Sequence, residues 1–251
     1  MSRRHRAHDY GGLILGWRRV VRASGLRMEA FSQSGGYPLF YLEAARLPVN
    51  APAIYFSAGI HGDEAAATEG LLLWAEQNPA VLKMIRPLIF PCLNPWGLVN
   101  NNRLDERGRD LNRCYGKRKP PQIRDQIRVM GKKTFDLALT LHEDYDAHGV
   151  YIYEVAAKKP YWAEKMLAAA SEHLPADSRA RIEGRPAKNG IVRRKISPDL
   201  MPDWPEAFLL HFQHSARTFT IETPSEMDMS HRVAAHVAVL DAAVAECLEA
   251  R

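Results

Sequence analysis

Residues 53–64 read AIYFSAGIHGDE, and this stretch determines the expected fold. The apolar run at 53–58 indicates a buried strand, and the Ala- and Leu-rich residues 63–76 indicate a helix directly after it. A strand followed at once by a helix is the repeating unit of sheets that carry helices on both faces. The polar residues between them, His61 to Glu64, are therefore expected at the carboxyl end of a strand, where such sheets gather their binding sites.

The alternation of strand and helix patterns continues along the chain. Strands are expected at 87–92, 135–141, 150–153 and 218–222, and helices at 161–173 and 231–248. This order predicts an α/β fold with a mixed, largely parallel central sheet flanked by helices. Residues 1–12 are expected to be a disordered or frayed tail, and residues 13–251 a single catalytic domain. Residues 178–204, rich in Arg, Lys, Pro and Gly, are expected to form a long surface excursion, which the residues do not assign to a role.

The composition indicates which classes of partner to expect: nucleic acid, membrane or small anionic substrate. The 251 residues carry 34 Lys and Arg against 29 Asp and Glu, a formal net charge of +5. The positive charge is dispersed over short clusters without interleaved aromatic residues, so we expect no nucleic-acid partner and a basic surface that favours anionic substrates. No apolar run is long enough to cross a membrane, and we find no secretory signal. The three cysteines are far apart, which indicates a reducing compartment and a cytoplasmic location. The oligomeric state is not predictable from these features.

His61 and Glu64 form the first half of a predicted metal site. They lie three residues apart across the expected strand-to-helix turn, so both side chains can reach one point. An imidazole nitrogen and a carboxylate oxygen are ligands that catalytic zinc accepts, and such sites use three protein ligands. Gly59 and Gly62 permit a tight turn and a close approach of the backbone. The alternative is an ordinary helix N-terminus with an acidic residue favoured by the helix dipole.

The third ligand must come from a distant part of the chain, and His142 is the preferred residue. It follows the apolar strand expected at 135–141. His211 and His214 lack a carboxylate at a suitable offset, whereas His231 and His236 are five residues apart and lie on different faces of a helix. A hydrogen-bonded histidine at a strand end remains the alternative for His142. The other rivals are His148 and His173.

Two further polar segments complete the predicted site. Residues 101–113 are rich in Arg and Asn, and guanidinium groups suit the capture of carboxylates and of developing oxyanions. Glu222 ends the strand expected at 218–222, where a carboxylate can take a proton from water and pass it to a leaving nitrogen. A solvated loop and a solvated strand-end glutamate are the respective alternatives.

Taken in chain order, five motifs resemble the zinc metallocarboxypeptidase family, in the short form typical of bacterial members. The motifs are GIHGDE at 59–64, NPWG at 94–97, GRDLNR at 108–113, LHED at 141–144 and TIETP at 220–224. The resemblance implies a mixed sheet of about eight strands and one zinc ion per chain, held by His61, Glu64 and His142. It also implies a peptide or small amide substrate with a free carboxylate.

The resemblance also implies roles for individual side chains. Glu222 matches the general acid/base, Arg103 the oxyanion-stabilising arginine, and Asn112 with Arg113 the pair that binds the substrate carboxylate. Trp96 departs from the family's N-P-D-G turn. The substrate-clamping tyrosine has no clear match, and Tyr145, Tyr151 and Tyr153 are the candidates by proximity.

Two other functions stay open at this stage. The succinylglutamate desuccinylase and aspartoacylase enzymes share the H-G-x-E opening and the D-L-N-R-type loop, and they remove acyl groups from amino acids. Their opening more often carries Asn at the position of Asp63. The third possibility is a binding protein without catalytic activity that has kept the pocket.

Overall fold

The structure is a computed structural model that describes residues 5–46, 50–117, 119–156, 159–193 and 195–250. Residues 1–4 of the predicted tail lie outside these ranges, as do Arg118 and Arg194, the middle residues of the basic clusters at 117–119 and 193–195. The prediction that residues 1–12 form a disordered or frayed tail is wrong in its extent, because helix α1 already begins at Tyr10. The side chain of Asp9 accepts a hydrogen bond from the Gly12 amide at 2.7 Å, and this N-cap fixes the start of the helix.

The described ranges contain eight α-helices, one short 3-10 helix and ten strands. The α-helices are α1 Tyr10–Ser24, α2 Ala65–Gln77, α3 Pro79–Met84, α4 Pro95–Asn100, α5 Pro121–Met130, α6 Ala163–Ala170, α7 Glu206–Gln213 and α8 Met229–Glu249, and the 3-10 helix is Leu111–Arg113. The strands are β1 Leu26–Ser34, β2 Tyr37–Ala44, β3 Ala53–Ser57, β4 Arg86–Phe90, β5 Leu137–Asp144, β6 Tyr151–Ala156, β7 Arg181–Ile182, β8 Arg185–Pro186, β9 Ile191–Arg193 and β10 Arg217–Pro224.

Eight of these strands form one mixed sheet in the order β1-β2-β4-β3-β5-β10-β6-β9, which confirms the predicted fold class. The four central strands β4, β3, β5 and β10 are parallel to one another. The hairpin β1–β2 extends one edge in antiparallel fashion, and β6 pairs antiparallel with β10 near the other edge. Strands β7 and β8 form a separate small hairpin within the predicted excursion.

Side chains alternate across the sheet, and each face has its own apolar core. On β3, Ile54 and Phe56 pack on the face covered by α1, α2, α6 and α8. Tyr55 points to the opposite face, which α5 and α7 cover. On β5, Leu139 belongs to the first core and Ala138 to the second. The second face is therefore the one toward which Thr140 and His142 project.

Several predicted boundaries moved by a few residues. Strand β5 runs to Asp144, so His142 lies inside a strand rather than just after it. Strand β10 runs to Pro224, so Glu222 lies within its strand rather than at its end. The sequence patterns did not reveal the hairpin β1–β2 or helices α1, α3, α4, α5 and α7. Charged residues interrupt the apolar pattern of β1 and α5, and α3, α4 and α7 are short. Across the described residues, every helix lacks the length or apolar content that crossing a bilayer requires.

Candidate metal centre and substrate cavity

The turn between β3 and α2 delivers His61 and Glu64, and two glycines allow it. Gly59 has a left-handed φ of 62°. Gly62 lies so close to α4 that a Cβ there would stand 1.9 Å from the Gly97 carbonyl carbon. The Gly62 amide also donates to the Asn102 carbonyl at 3.1 Å. This contact joins the metal-ligand turn to the start of the Arg- and Asn-rich loop, as only a residue without a side chain could.

Register along the sheet brings the distant residues His142 and Glu222 together. Strands β5 and β10 are parallel neighbours, and His142 pairs with Glu222. On the other side of β10, Glu222 pairs with Tyr151 of β6. Residues that pair across neighbouring strands project from the same face, so these three side chains form one row. The row faces the loop that carries His61 and Glu64.

The three predicted metal ligands converge. His61 Nδ1 lies 2.5 Å from Glu64 Oε1, and His142 Nδ1 lies 2.9 Å from Glu64 Oε2. One ligand atom from each residue lies within 4.8 Å of those of the other two, and all three residues are buried. Within the described ranges, no other group of three or more His, Cys, Asp or Glu residues meets this condition. None of the rival histidines belongs to the cluster.

The donor chemistry of this cluster fits a divalent cation such as zinc. His61 faces a carboxylate at each ring nitrogen, Glu64 at Nδ1 and Asp110 at Nε2, the latter at 3.1 Å. Without a proton or a cation between them, the Nδ1 lone pair and the Glu64 carboxylate would repel each other. Two imidazole nitrogens and a carboxylate oxygen are a preferred zinc set, with a second carboxylate orienting one imidazole from behind.

The pKa values describe the same attraction of positive charge. Burial by itself lowers the pKa of His61, but the charge of Glu64 and hydrogen bonds to Asp110 and Glu64 outweigh it and raise that pKa to about 9. For His142, burial is likewise outweighed by the charge of Glu64, so its pKa also rises. Burial raises the pKa of Glu64, yet the two facing imidazoles lower it overall. The cluster is thus built around a positive centre.

Arg103 stands beside the metal ligands and is fixed by Asp110. Its Nε and Nη2 lie 3.3 and 3.2 Å from Asp110 Oδ2, and its Nη1 lies 3.6 Å from Glu64 Oε1. Burial lowers the pKa of Arg103, but the charges of Asp110 and Glu64 raise it overall. A permanently charged guanidinium therefore faces the space next to the cluster.

Asn112 and Arg113 lie on the 3-10 helix that follows Asp110. The Asp110 side chain caps this helix by accepting from the Asn112 amide at 2.9 Å. Asn112 Oδ1 accepts a hydrogen bond from the Glu206 backbone amide at 2.9 Å, and no described residue forms a hydrogen bond with its Nδ2. The Nη1 of Arg113 donates to the Asn112 carbonyl at 3.0 Å. Both residues line the same cavity as the metal cluster.

The Glu222 carboxylate forms no hydrogen bond and no ion pair with any described residue. Burial raises its pKa well above the ordinary value, and the charges of Glu64 and Asp144 add to the rise against the opposing charge of His142. A carboxylate with a raised pKa and free oxygens is suited to exchange protons. It lies in the row next to His142.

One cavity contains every side chain predicted for the site. Its wall includes His61, Glu64, His142, Glu222, Arg103, Asn112 and Arg113. The predicted excursion covers it with residues from the β7–β8 hairpin and the following loop, among them Glu183, Arg185, Ile196 and Met201. The second cavity beside it shares Glu64, Arg103, Glu143 and Asp144. Space therefore exists on both sides of the metal ligands.

The three candidate tyrosines differ in placement. Tyr151 is buried and donates to Asp144 Oδ2 at 3.0 Å, while Tyr153 donates to Glu183 of the excursion. Both line the main cavity. Tyr145 is 71% exposed and borders the second cavity instead. The geometry assigns none of them as a substrate clamp.

The departure at Trp96 has a local explanation. Asn94 caps α4 by accepting from the Gly97 amide at 3.0 Å, and its Nδ2 donates to the Leu104 carbonyl at 3.1 Å. Trp96 packs over the β1–β2 turn, where a Cβ on Gly35 would stand 2.5 Å from its ring. Asn94 thus caps α4 and joins it to the Arg- and Asn-rich loop, and the Trp96 side chain lies against the β1–β2 turn.

Three residues at the site escaped prediction. Asp110 lies inside the GRDLNR motif, which was the available signal, but its contact with His61 depends on the loop path. Glu143 follows His142; it accepts from the Ala66 amide at 2.5 Å and pairs with Arg232, while burial raises its pKa to about 7. The backbone amide of Glu206 contacts Asn112, and no sequence pattern indicated that Glu206 belongs to the site.

Comparison with known proteins identifies a catalytic-domain family that covers just over half of the chain. The profile of the succinylglutamate desuccinylase/aspartoacylase catalytic domain matches residues 50–180, just over half of the chain. A search of curated proteins found no match to this chain.

Solved structures share the whole fold at low sequence identity. A candidate metallopeptidase from Shewanella denitrificans OS217 has a TM-score of 0.84 at 20% identity, covering 96% of this chain and 91% of its own. A metallo-carboxypeptidase from Burkholderia cenocepacia has a TM-score of 0.72 at 15% identity, with 96% and 69% covered. The metallo-carboxypeptidase from Pseudomonas aeruginosa bound to (2-guanidinoethylmercapto)succinic acid has a TM-score of 0.67 at 16% identity, with 97% and 70% covered. These likenesses confirm the predicted carboxypeptidase-like fold.

Proposed function

This chain belongs to the succinylglutamate desuccinylase/aspartoacylase catalytic domain family, within the zinc carboxypeptidase-like fold, and from that premise we propose that it is a zinc-dependent metallocarboxypeptidase. Its substrate is a peptide or small amide whose scissile bond lies next to a free carboxylate. The observation that carries the proposal is the meeting, in one cavity, of all seven side chains singled out in the sequence.

Each side chain has one task in the proposed reaction. His61, Glu64 and His142 hold the metal, which when bound supplies Lewis acidity to the reacting centre. Glu222 takes a proton from the attacking water and passes it to the leaving nitrogen. The guanidinium of Arg103 stabilises the oxyanion that develops on the scissile carbonyl. Asn112 and Arg113 bind the substrate carboxylate through charge-assisted hydrogen bonds.

The shape of the cavities supports a peptide over a small acyl group. The main cavity is lined by the residues proposed for carboxylate binding. It is also lined by apolar residues such as Ile196, Met201 and Phe208, which suit the side chain of the released amino acid. The second cavity continues beyond Glu64 and Arg103, so an extended acyl portion has room there. A solved neighbour with this fold binds a succinic acid derivative, which supports carboxylate recognition.

A second candidate is an N-acyl amino acid deacylase, which the match to the desuccinylase/aspartoacylase profile favours. Both reactions release an amino acid with a free carboxylate, and they differ only in the acyl half. The test is a screen of peptides varied at the C-terminal residue, cell-wall peptides, and N-acetyl and N-succinyl amino acids, with zinc and with chelator. Cleavage of peptides alone supports the carboxypeptidase, whereas cleavage of acyl amino acids alone supports the deacylase.

C-terminally amidated peptides provide the matched control in that screen. We expect them to be poor substrates because Asn112 and Arg113 then lose the carboxylate that they are proposed to bind. Equal rates for free and amidated peptides would contradict the assignment of these two residues. Absence of chelator-sensitive turnover on every compound would contradict the proposed function as a whole.

Replacing Glu222 by Gln tests the proton-transfer role. We expect kcat to fall by about 10²- to 10⁴-fold, the usual value of general acid–base catalysis, while zinc content stays near one per chain. Turnover and metal analysis by atomic absorption are measured on the same preparation. Glu29→Gln, an exposed change on β1, is the control. A Glu222→Gln enzyme with wild-type rates would show that another group is the base.

A further inference from the structure

A buried polar network lies beneath the residues proposed to bind the substrate carboxylate. Its centre is Glu206, the first residue of α7, which is 1% exposed. Tyr55 donates to its Oε1 at 2.5 Å, Gln126 donates to the same oxygen at 2.7 Å, and Ser57 donates to its Oε2 at 2.7 Å. Tyr115 donates in turn to Gln126 Oε1 at 2.6 Å. Side chains from β3 and α5 thus meet at one carboxyl group, and Tyr115 from the loop after the 3-10 helix holds Gln126 in place.

This network holds an acid where an apolar residue would ordinarily be more stable. In the described part of the chain, no Lys, Arg or His lies within 4 Å of the Glu206 carboxylate, so hydroxyl and amide donors alone satisfy it. Burial, followed by the charge of Glu206, raises the pKa of Tyr55 well above its ordinary value and keeps its hydroxyl a donor. A buried acid with neutral partners costs stability relative to a packed hydrophobe but fixes one arrangement of its neighbours.

The arrangement that it fixes includes Asn112. The backbone amide of Glu206 donates to Asn112 Oδ1 at 2.9 Å. The position of Glu206 therefore determines which end of the Asn112 side-chain amide faces the cavity. With Oδ1 engaged, Nδ2 and its two hydrogens remain available in the cavity, where a carboxylate needs donors. Pro205 lies directly before Glu206 and lines the same cavity, so a shift of this helix start would alter the cavity wall.

We propose that Glu206 is a positioning residue: held by Tyr55, Ser57 and Gln126, it fixes the Asn112 amide with its donors toward the substrate carboxylate. The assignment rests on the proposed function, because it gives Asn112 the carboxylate as its ligand. Glu206 itself lies under the cavity wall and touches no reacting atom. Its removal is therefore expected to affect substrate binding and leave the chemical step in place.

The kinetic test is a double-mutant cycle with Glu206→Gln and Asn112→Ala on the best peptide from the substrate screen. Gln places an amide donor among the existing donors and disturbs the network without changing its size. We expect KM to rise about tenfold with kcat changed less than about twofold, the effect of weakening one hydrogen bond to a charged group. In the Asn112→Ala background the same change should add nothing. An additive effect, or an unchanged KM, would overturn the proposal.

Glu154→Gln is the matched control because Glu154 is also a buried glutamate that accepts from a backbone amide, that of Trp162, at 2.7 Å. It pairs with Arg193 and contacts none of the proposed substrate-binding residues. Its KM should stay within about twofold of wild type, since only stability is affected. Should Glu206→Gln fail to fold, Ser57→Ala and Tyr55→Phe each remove one donor and repeat the cycle with the same expected direction.

A spectroscopic arm separates this inference from the proposed function. In protein labelled with ¹⁵N-asparagine, the Asn112 side-chain amide is identified by its loss in Asn112→Ser. We expect its signals to shift or broaden in Glu206→Gln and to stay in place in Glu154→Gln. Unmoved signals in Glu206→Gln would overturn the positioning role even if the enzyme is active. If wild-type protein turns over no substrate, the proposed function fails, and the amide signals alone decide the positioning.

Discussion

Asp110 accepts hydrogen bonds from two side chains that the sequence assigned to the site, His61 and Arg103. Its negative charge holds His61 from behind the proposed metal position. Burial raises the pKa of Asp110, but His61 and Arg103 lower it overall, so Asp110 stays ionised. Partners of this kind set the orientation and basicity of a metal-binding imidazole.

Replacing Asp110 by Asn should weaken zinc binding by about 10- to 100-fold, because the new amide presents a donor to His61 or Arg103 and removes the charge. Competition with a chromogenic chelator measures the affinity. Asp125→Asn, which breaks an exposed ion pair with Arg128, is the control and should bind zinc as wild type does. Unchanged affinity in Asp110→Asn would mean that His61 is oriented by another group in the loaded protein.

At the scale of elements, the contact between the β3–α2 turn and α4 decides whether His61 and Glu64 can face the Arg- and Asn-rich loop. The contact depends on Gly62, whose missing side chain leaves room for the Gly97 backbone. Neither partner can yield by rotating a side chain, because both are main chain. The two motifs GIHGDE and NPWG are therefore complementary in shape as well as adjacent in the fold.

Gly62→Ala is expected to destabilise the protein by about 2 kcal/mol or more, since overpacking against backbone forces the turn to move, and to weaken zinc binding with it. Urea denaturation and chelator competition measure the two effects. Gly11→Ala in α1 is the matched control, because its Cβ would meet only Asp9 Oδ1 at an ordinary 3.5 Å. That change should be neutral or stabilising by up to about 1 kcal/mol. Wild-type stability in Gly62→Ala would show that the turn does not need this close approach.

At the scale of the whole molecule, His236 ties α8 to the sheet and to α2. Its ring is fully buried, lies against Gly70, and places Nε2 3.1 Å from Thr223 Oγ1. Burial, reinforced by the charge of Arg232, lowers its pKa from 6.5 to about 3. The unfolded chain therefore binds a proton at this site in a pH range where the folded protein does not.

Stability should accordingly fall as the pH drops below 6.5, the contribution of neutral His236 being complete above that value. The loss is about 1.4 kcal/mol per pH unit for one proton, or about 2 kcal/mol between pH 7 and pH 5. His236→Gln removes this term, so its metal-free form should lose less stability in urea denaturation over that interval. His231→Gln, an exposed change on the same helix, should keep the wild-type slope. Parallel profiles for wild type and His236→Gln would contradict the assignment.

The amino-acid sequence by itself determined the α/β class, the central strands and the seven side chains that line one cavity. Local signals suffice for this, because a buried strand must be apolar and a turn that approaches backbone needs glycine. His61 and Glu64 lie within one turn, so their proximity follows from chain geometry alone. The order of motifs then led to His142 and Glu222.

Only the tertiary structure decided which of these residues meet and what supports them. His142 and Glu222 are 80 positions apart, and they become neighbours because β5 and β10 pair in parallel with one particular register, a choice set by packing on both faces of the sheet. The contacts of Asp110 with His61 and of Glu206 with Asn112 depend on where loops and a helix end come to rest. Such contacts join residues far apart in sequence through single hydrogen bonds, which leave no periodic pattern along the chain.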